Sequence, residues 1–338
     1  MYGDNELDKV SDYKCLGIML DKHLKYNRCV KILADSSGRA LGGIISNFKS
    51  LRNVGYETFT KMYNTGVRPV SEYGASIWGL HKANEIDLIQ NHAMRYYLGV
   101  HKFAPNAAII GDMGWVKPIY SRYLCLIRFW NRVLSMPDDR LTKKVFNYDY
   151  EKSCKNWSSG IKELFINLQM ENVFTEKLAC DLELVKAKTK DIMTTSWQRE
   201  VQIKPKLRSY KLFKNNFETE PYVQFSPDRQ TRSLLAQIRC GILPLRIETG
   251  RFYRLSAPER RCELCNTGQV ESEMHFICEC PLYDNARRNL YYVVNFSCNE
   301  FLTMNLQNKF IYLMKNRWRD VSKFISQAWI IRKNNLYK

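Results

Sequence analysis

No apolar run in the sequence approaches the roughly 18–20 residues that a bilayer-spanning helix needs, so a membrane protein is not expected. The amino-terminal MYGDNELDKV carries acidic and polar residues where a secretory leader places basic and then apolar ones, and export is not expected either. Periodic repeats and low-complexity tracts are missing, which sets aside solenoid and fibrous architectures. Acidic residues are scarce beside basic ones, 34 against 52, and the formal net charge of +18 favours an anionic partner such as nucleic acid.

What is present is a chain of 338 residues, 45% of them hydrophobic, enough for two or three buried cores. Eleven cysteines in a chain not expected to be exported are expected as thiols or metal ligands, because the cytosol and nucleus keep thiols reduced. An intracellular, non-secreted protein of the nucleus or cytoplasm is the expectation. Seven cysteines stand singly, at Cys15, Cys29, Cys125, Cys154, Cys180, Cys240 and Cys298, and read as small buried hydrophobes.

The other four share one window with a histidine, RCELCNTGQVESEMHFICECPLYDNARR over 261–288. Cys262 and Cys265 have C-x-x-C spacing, which presents two thiolates from one tight knuckle. Ser272 is placed to cap a short helix carrying His275, which would bring the second pair of donors. On an ideal helix His275 and Cys278 share a face at i and i+3, whereas Cys280 lies about 140° further round. Pro281, however, disfavours α conformation at Cys280, and zinc sites accept three to five residues between their last two ligands. Spacing therefore leaves Cys278 and Cys280 both open as fourth ligand. Four protein donors make a closed site, so the expected Zn2+ is structural, not catalytic.

A mainly α fold is expected. DYKCLGIMLD (12–21) reads as one strand. Helical periodicity begins at Asn27, with Val30, Leu33, Ala34, Leu41, Ile44 and Ile45 recurring at three and four. Further helices are predicted over 56–79 and 83–99, the latter with Leu88, Ile89, Met94, Tyr97 and Leu98 as its apolar stripe. APNAAIIGDMGWVKP reads as a turn, followed by a helix over 118–135 that Pro137 ends. The segment 138–205 mixes polar loops with helical patterns and reads as a connector without a rigid core. Beyond Pro205, helices are predicted in KLRSYKLFKNNF, in RQTRSLLAQIRCGILPL and over 283–294. Ser297 to Glu300 has capping-box spacing, and a final helical segment sets Phe310, Met314, Val321, Ile325 and Ala328 along one side. That face is expected to lie against the zinc subdomain.

Basic residues concentrate in this last third. Lys204, Lys206, Arg208, Lys211 and Lys214 accompany Tyr210, Phe213 and Phe217, rings that either stack on unpaired bases or fill a core. Arg229, Arg232, Arg239, Arg246, Arg251, Arg254, Arg260 and Arg261 lead into the knuckle, and all thirteen side chains are candidate contacts for RNA or DNA.

The order Tyr13-Lys14-Cys15-Leu16-Gly17-Ile18-Met19-Leu20-Asp21, then Tyr73-Gly74-Ala75-Ser76-Ile77-Trp78, then Arg239-Cys240-Gly241-Ile242-Leu243-Pro244-Leu245, then Cys-x2-Cys-x9-His-x4-Cys-Pro resembles the carboxy-terminal half of LINE-type (non-LTR) retrotransposon reverse transcriptases over nearly the whole chain. The resemblance implies a β element closing a palm (1–25), a thumb-like helical domain (26–137), a helical connector (138–205) and a basic domain (206–338) with a small α+β CCHC knuckle at 262–280. It also implies Cys262, Cys265, His275 and Cys280 as the metal ligands. The paired aspartates that such polymerases need would lie upstream of Tyr13. Asp138-Asp139, next to Pro137, reads as a solvated loop pair, since two-metal chemistry needs ligands on a rigid scaffold. The chain is thus expected to be a nucleic-acid-binding fragment without polymerase activity of its own. The alternatives are a zinc-dependent scaffold module or the end of a longer active RNA-directed DNA polymerase carrying an upstream palm.

Overall fold

The structure, a computed structural model, describes residues 10–51, 53–152, 155–226 and 228–336. It is 68% helix, with one two-stranded antiparallel sheet near the amino terminus, and so matches the mainly α expectation. Among the described residues no helix is long and apolar enough to cross a membrane. Contacts group the chain into two units, each discontinuous in sequence: 1–47, 61–90 and 116–193, and then 48–60, 91–115 and 194–338.

In the first unit the expected single strand is a hairpin, β1 (Asp12–Cys15) paired with β2 (Ile18–Asp21). Leu16 and Gly17 both have positive φ, 46° and 86°, the requirement of a two-residue type I′ turn. Cys15 next to this turn is exposed, a correction to the buried reading, while Cys29 and Cys180 are buried and Cys125 is intermediate. Cys154 lies outside the described residues. The helix Asn27–Phe48 buries Cys29, Val30, Leu33, Ala34, Leu41 and Ile44, as its periodicity requires. The long helix expected over 56–79 is broken instead. A π turn occupies Tyr63–Val67, Pro69 opens the short helix Arg68–Ser71, and Gly74 at φ 67° precedes Ala75–Trp78. Leu88, expected in an apolar stripe, is exposed on the helix Asn84–Leu98.

The segment expected as a loose connector has a core. Trp130, on the helix Pro118–Leu134, meets Phe146 and Phe165 edge-on and Phe174 in a stack, with each pair of ring centroids 5.5 Å apart. Those partners come from the helices Leu141–Glu151, Trp157–Asn167 and Glu171–Thr175. Burial of each such large apolar side chain contributes roughly 1.5–3 kcal/mol, so loops between these helices do not make the segment loose. Asp138 and Asp139 are exposed in the turn ahead of Leu141.

In the second unit the expected turn APNAAIIGDMGWVKP contains a helix, Asn106–Met113, buried from Ala107 to Met113 and ended by Gly114 at φ 65°. A helix apolar all round belongs in a core, and Asp112 is the charged exception. Its carboxylate accepts from Arg239 Nε at 2.8 Å and Nη2 at 2.9 Å, from Tyr210 Oη at 2.9 Å and from Tyr222 Oη at 2.7 Å. Glu220 Oε2 lies 3.1 Å from the same guanidinium. This network gathers the short helix Tyr210–Phe213, the helix Arg229–Arg239 and the turn Pro221–Phe225 around one charge pair. Tyr210 and Phe213 are therefore core rings, and Phe217 is half-buried at 5.4 Å from Trp197.

The carboxy-terminal segment is two helices, Leu306–Asn316 and Trp318–Leu336, and buries Phe310, Met314, Val321, Ile325 and Ala328 as expected. The capping-box spacing at 297–300 starts no α-helix. Asn305 caps instead, its Oδ1 accepting the Asn308 N–H at 2.8 Å.

Candidate metal centre

An antiparallel bridge between Arg261 and Val270 closes the knuckle, and the Cys262 N–H donates to Gln269 O at 2.8 Å. Gly268, at φ 69°, turns the chain inside this ring. Ser272 then caps the next turn as expected, its Oγ accepting the His275 N–H at 3.1 Å.

That next turn sets which thiol joins the candidate group. His275–Glu279 is a π turn, and the Cys280 N–H donates to His275 O at 2.8 Å, five residues back rather than four. The wider turn carries Cys280 round to the His275 side and leaves Cys278 pointing elsewhere. Cys262, Cys265, His275 and Cys280 place one donor atom each within 4.8 Å of one another. Cys278 is buried outside the group, and burial pushes its thiol up to about 12.

The donors fit a small tetrahedral ion. Bonds of about 2.3 Å to sulfur and 2.0–2.1 Å to nitrogen give a tetrahedron whose S···N edge is about 3.6 Å, and Cys265 Sγ lies 3.5 Å from His275 Nε2. His275 Nδ1 sits 2.8 Å from Gln269 Oε1, so an N–H there donates to the amide oxygen and leaves the Nε2 lone pair for the ion. The donors differ in how tightly they hold a proton. The hydrogen bond with Cys280, with burial, pushes the Cys262 thiol up to about 12, and the same bond lowers Cys280. Burial lowers His275, but its bonds to Cys262 and Cys265 outweigh that and raise it.

Neighbouring charges anchor the centre. Buried Glu271 accepts the Arg246 N–H at 2.5 Å and Arg332 Nη2 at 3.0 Å, and its Oε1 lies 3.8 Å from Cys262 Sγ. The last helix is thereby tied to the knuckle. Arg287, on the helix Asp284–Asn295, donates to Ile277 O at 2.9 Å and Cys280 O at 2.7 Å, which holds the π turn from its outer side. Neither Glu271 nor Arg287 was singled out in the sequence. A glutamate between the two ligand pairs of a basic segment is the signal that was available.

The thirteen candidate nucleic-acid residues divide sharply. Arg239 and Arg232 are buried, Arg239 against Asp112 and Arg232 on Tyr97 O at 2.9 Å, with its guanidinium 4.0 Å from the Tyr97 ring centroid. Buried Lys214 pairs with Glu220 at 2.6 Å. Arg208 pairs with buried Glu273, Lys206 with Glu248 at 2.7 Å, Arg246 with Glu263 at 2.8 Å, and Arg260 donates to backbone carbonyls. Buried guanidinium and ammonium groups hold position only when compensated, so the packing, not a phosphate, accounts for Arg232, Arg239 and Lys214. Lys204, Lys211, Arg229, Arg251, Arg254 and Arg261 are exposed.

Comparison with protein-family models, curated proteins and solved structures finds no match to this chain.

Proposed function

We propose that this protein is a zinc-stabilised nucleic-acid-binding fragment akin to the carboxy-terminal part of LINE-type reverse transcriptases, with no catalytic residue of its own. The closed Cys262, Cys265, His275, Cys280 cluster carries the reading. Three cysteine sulfurs and one imidazole with their donor atoms within 4.8 Å of one another suit Zn2+ before other common ions, and four protein donors leave no position for a reacting water. When bound, the ion would cross-link the knuckle to the π turn, and Glu271 and Arg287 would extend that rigidity to the two helices beside it. The net charge of +18 and the exposed Lys204, Lys211, Arg229, Arg254 and Arg261 support RNA or DNA as partner.

Native mass spectrometry of the purified chain is expected to show one zinc, removed by a strong chelator and absent from His275→Ala. A metal-free, equally folded wild type would refute the site. Affinity for a labelled oligonucleotide is expected to fall with salt at a log–log slope of roughly −3 to −4, the value for about five phosphate contacts on a single strand. A second reading, a zinc-dependent scaffold module, draws on the burial of Arg232, Arg239 and Lys214, which removes three cations from the surface. Salt-insensitive binding, with protein partners retained after nuclease treatment, would favour it.

A further inference from the structure

Between the helix Arg229–Arg239 and the knuckle, the chain makes a short 3-10 turn over Gly250–Tyr253. Its two rings point outward: Phe252 is 81% exposed and Tyr253 68% exposed, far from the usual fate of aromatic side chains. Arginines alternate with them. Arg251 and Arg254 flank the pair and are exposed, Arg261 follows, and the Arg246 guanidinium lies 5.1 Å from the Tyr253 ring centroid. Over 246–261 five arginines face two glutamates, Glu248, which pairs with Arg251 and Lys206, and Glu259, which accepts the Ser256 N–H at 2.7 Å.

This turn is built, not loose. Arg260 donates to Leu255 O at 2.7 Å and to Ile247 O at 2.9 Å, clamping both ends of the segment. The Leu255 N–H donates to Gly250 O at 3.1 Å, and Arg254 takes the left-handed conformation at φ 58° to allow it. A Cβ at Gly250 would lie 2.6 Å from Arg260 Cγ, so the clamp needs glycine there. These bonds fix the backbone that carries two largely exposed rings, Tyr253 beside the Arg246 guanidinium.

We propose that Phe252 and Tyr253 form a stacking platform for the bases of an unpaired nucleic-acid strand, with Arg251, Arg254 and Arg261 taking the adjoining phosphates. The inference rests on the nucleic-acid reading above and deepens it, naming the strand state and the residues. Rings interleaved with cations suit unpaired bases, whose π faces are open, and not a duplex, whose bases are already stacked. An apolar protein partner would gain little from so dense a set of arginines, each of which it would have to desolvate.

The test compares the full chain with Phe252→Ala, Tyr253→Ala and the double variant, on labelled single-stranded oligouridylate, its oligodeoxythymidylate counterpart and a blunt duplex hairpin, at several salt concentrations. Both rings are exposed, so the variants are expected to keep the wild-type circular dichroism and melting temperature. Each substitution is expected to weaken single-strand binding roughly tenfold, as loss of one stacked base does. The salt slope and the duplex affinity are expected to stay as in the wild type, and Phe252→Tyr is expected to retain most binding. Unchanged single-strand affinity in the double variant would overturn the platform while leaving nucleic-acid binding in place. Equal losses on strand and duplex would overturn it too. A wild type that binds no polynucleotide in a salt-dependent way would instead remove the functional reading beneath it. A protein partner lost with the two rings, while RNA binding persists, would assign the patch to protein docking and likewise overturn the proposal.

Discussion

Replacing Asp112 by alanine tests what holds the second unit together. The substitution leaves the Arg239 guanidinium buried with Glu220 as its remaining carboxylate, takes the acceptor of the Tyr222 hydroxyl and leaves the Tyr210 hydroxyl with the Ala108 carbonyl at 3.4 Å. Removing one member of a buried ion pair costs about 3–5 kcal/mol, and the stranded Tyr222 hydroxyl adds about 1 kcal/mol. The sum, about 4–6 kcal/mol, is a large share of the 5–15 kcal/mol that roughly bounds the stability of most domains. With a urea m-value of about 3 kcal/mol/M, the midpoint is expected to fall by about 1.3–2 M. Tryptophan fluorescence follows the transition, since Trp115 and Trp197 lie in the same unit. Joint replacement, Asp112→Leu with Arg239→Met, is expected to recover much of the loss, because neither charge then stays uncompensated. Burial alone would raise the Asp112 carboxyl, but the Arg239 guanidinium, with Lys214 and Tyr222, outweighs it and holds the group below its ordinary value. A carboxyl lowered by folding contributes stability that is complete above its unfolded value near ~3.9 and is lost as pH falls through the folded one. The alanine effect should therefore be constant from about pH 5 to 8 and shrink only below about pH 4. A midpoint shift under about 0.3 M at neutral pH, worth less than about 1 kcal/mol, would show that the pair does not organise this core.

The two candidate fourth ligands should separate cleanly. Cys280→Ser is expected to weaken zinc binding about 100-fold or more, a quarter share of the roughly 10–16 kcal/mol that structural sites supply; competition with a chromophoric chelator measures this. Cys278→Ala should keep one zinc per chain in native mass spectrometry and lower stability by about 1 kcal/mol, the scale of a small cavity; metal loss in this variant would reverse the assignment. Gly241→Ala puts a Cβ 2.2 Å from Lys206 O at a φ of 64°. A drop in melting temperature of several degrees is expected, since such a clash must shift backbone, and an unchanged temperature would contradict that packing.

Sequence patterning was most informative where one periodicity acted alone. The apolar series from Val30 to Ile44 and from Phe310 to Ala328 fell on buried faces because nothing competes with the helix period there. It failed where two requirements conflict. Leu16-Gly17 has apolar strand neighbours on both sides, yet the positive φ at both residues folds the run on itself. The stretch from Ala107 to Met113 looked like a turn because of Gly111, Gly114 and the flanking prolines, although a run apolar but for Asp112 suits a buried helix. Arg239 and Lys214 read as surface charge because their compensating carboxylates, Asp112 and Glu220, are not adjacent helical positions. For the metal ligands, spacing narrowed the field to Cys278 or Cys280, and the likeness to a known motif favoured Cys280. The π turn supplies the physical reason, one that no ideal helical wheel contains.

The extra residue in that turn bears on how such centres tolerate change. Shortening the stretch Phe276–Glu279 by one position would let an ordinary α turn close in its place, and the histidine and last cysteine would still face the same point in space. Lengthening and shortening are thus absorbed by trading one hydrogen-bond ring size for another. A gap of three and a gap of four between these donors are two spellings of a single geometry, and natural variants with either length should bind the ion equally well.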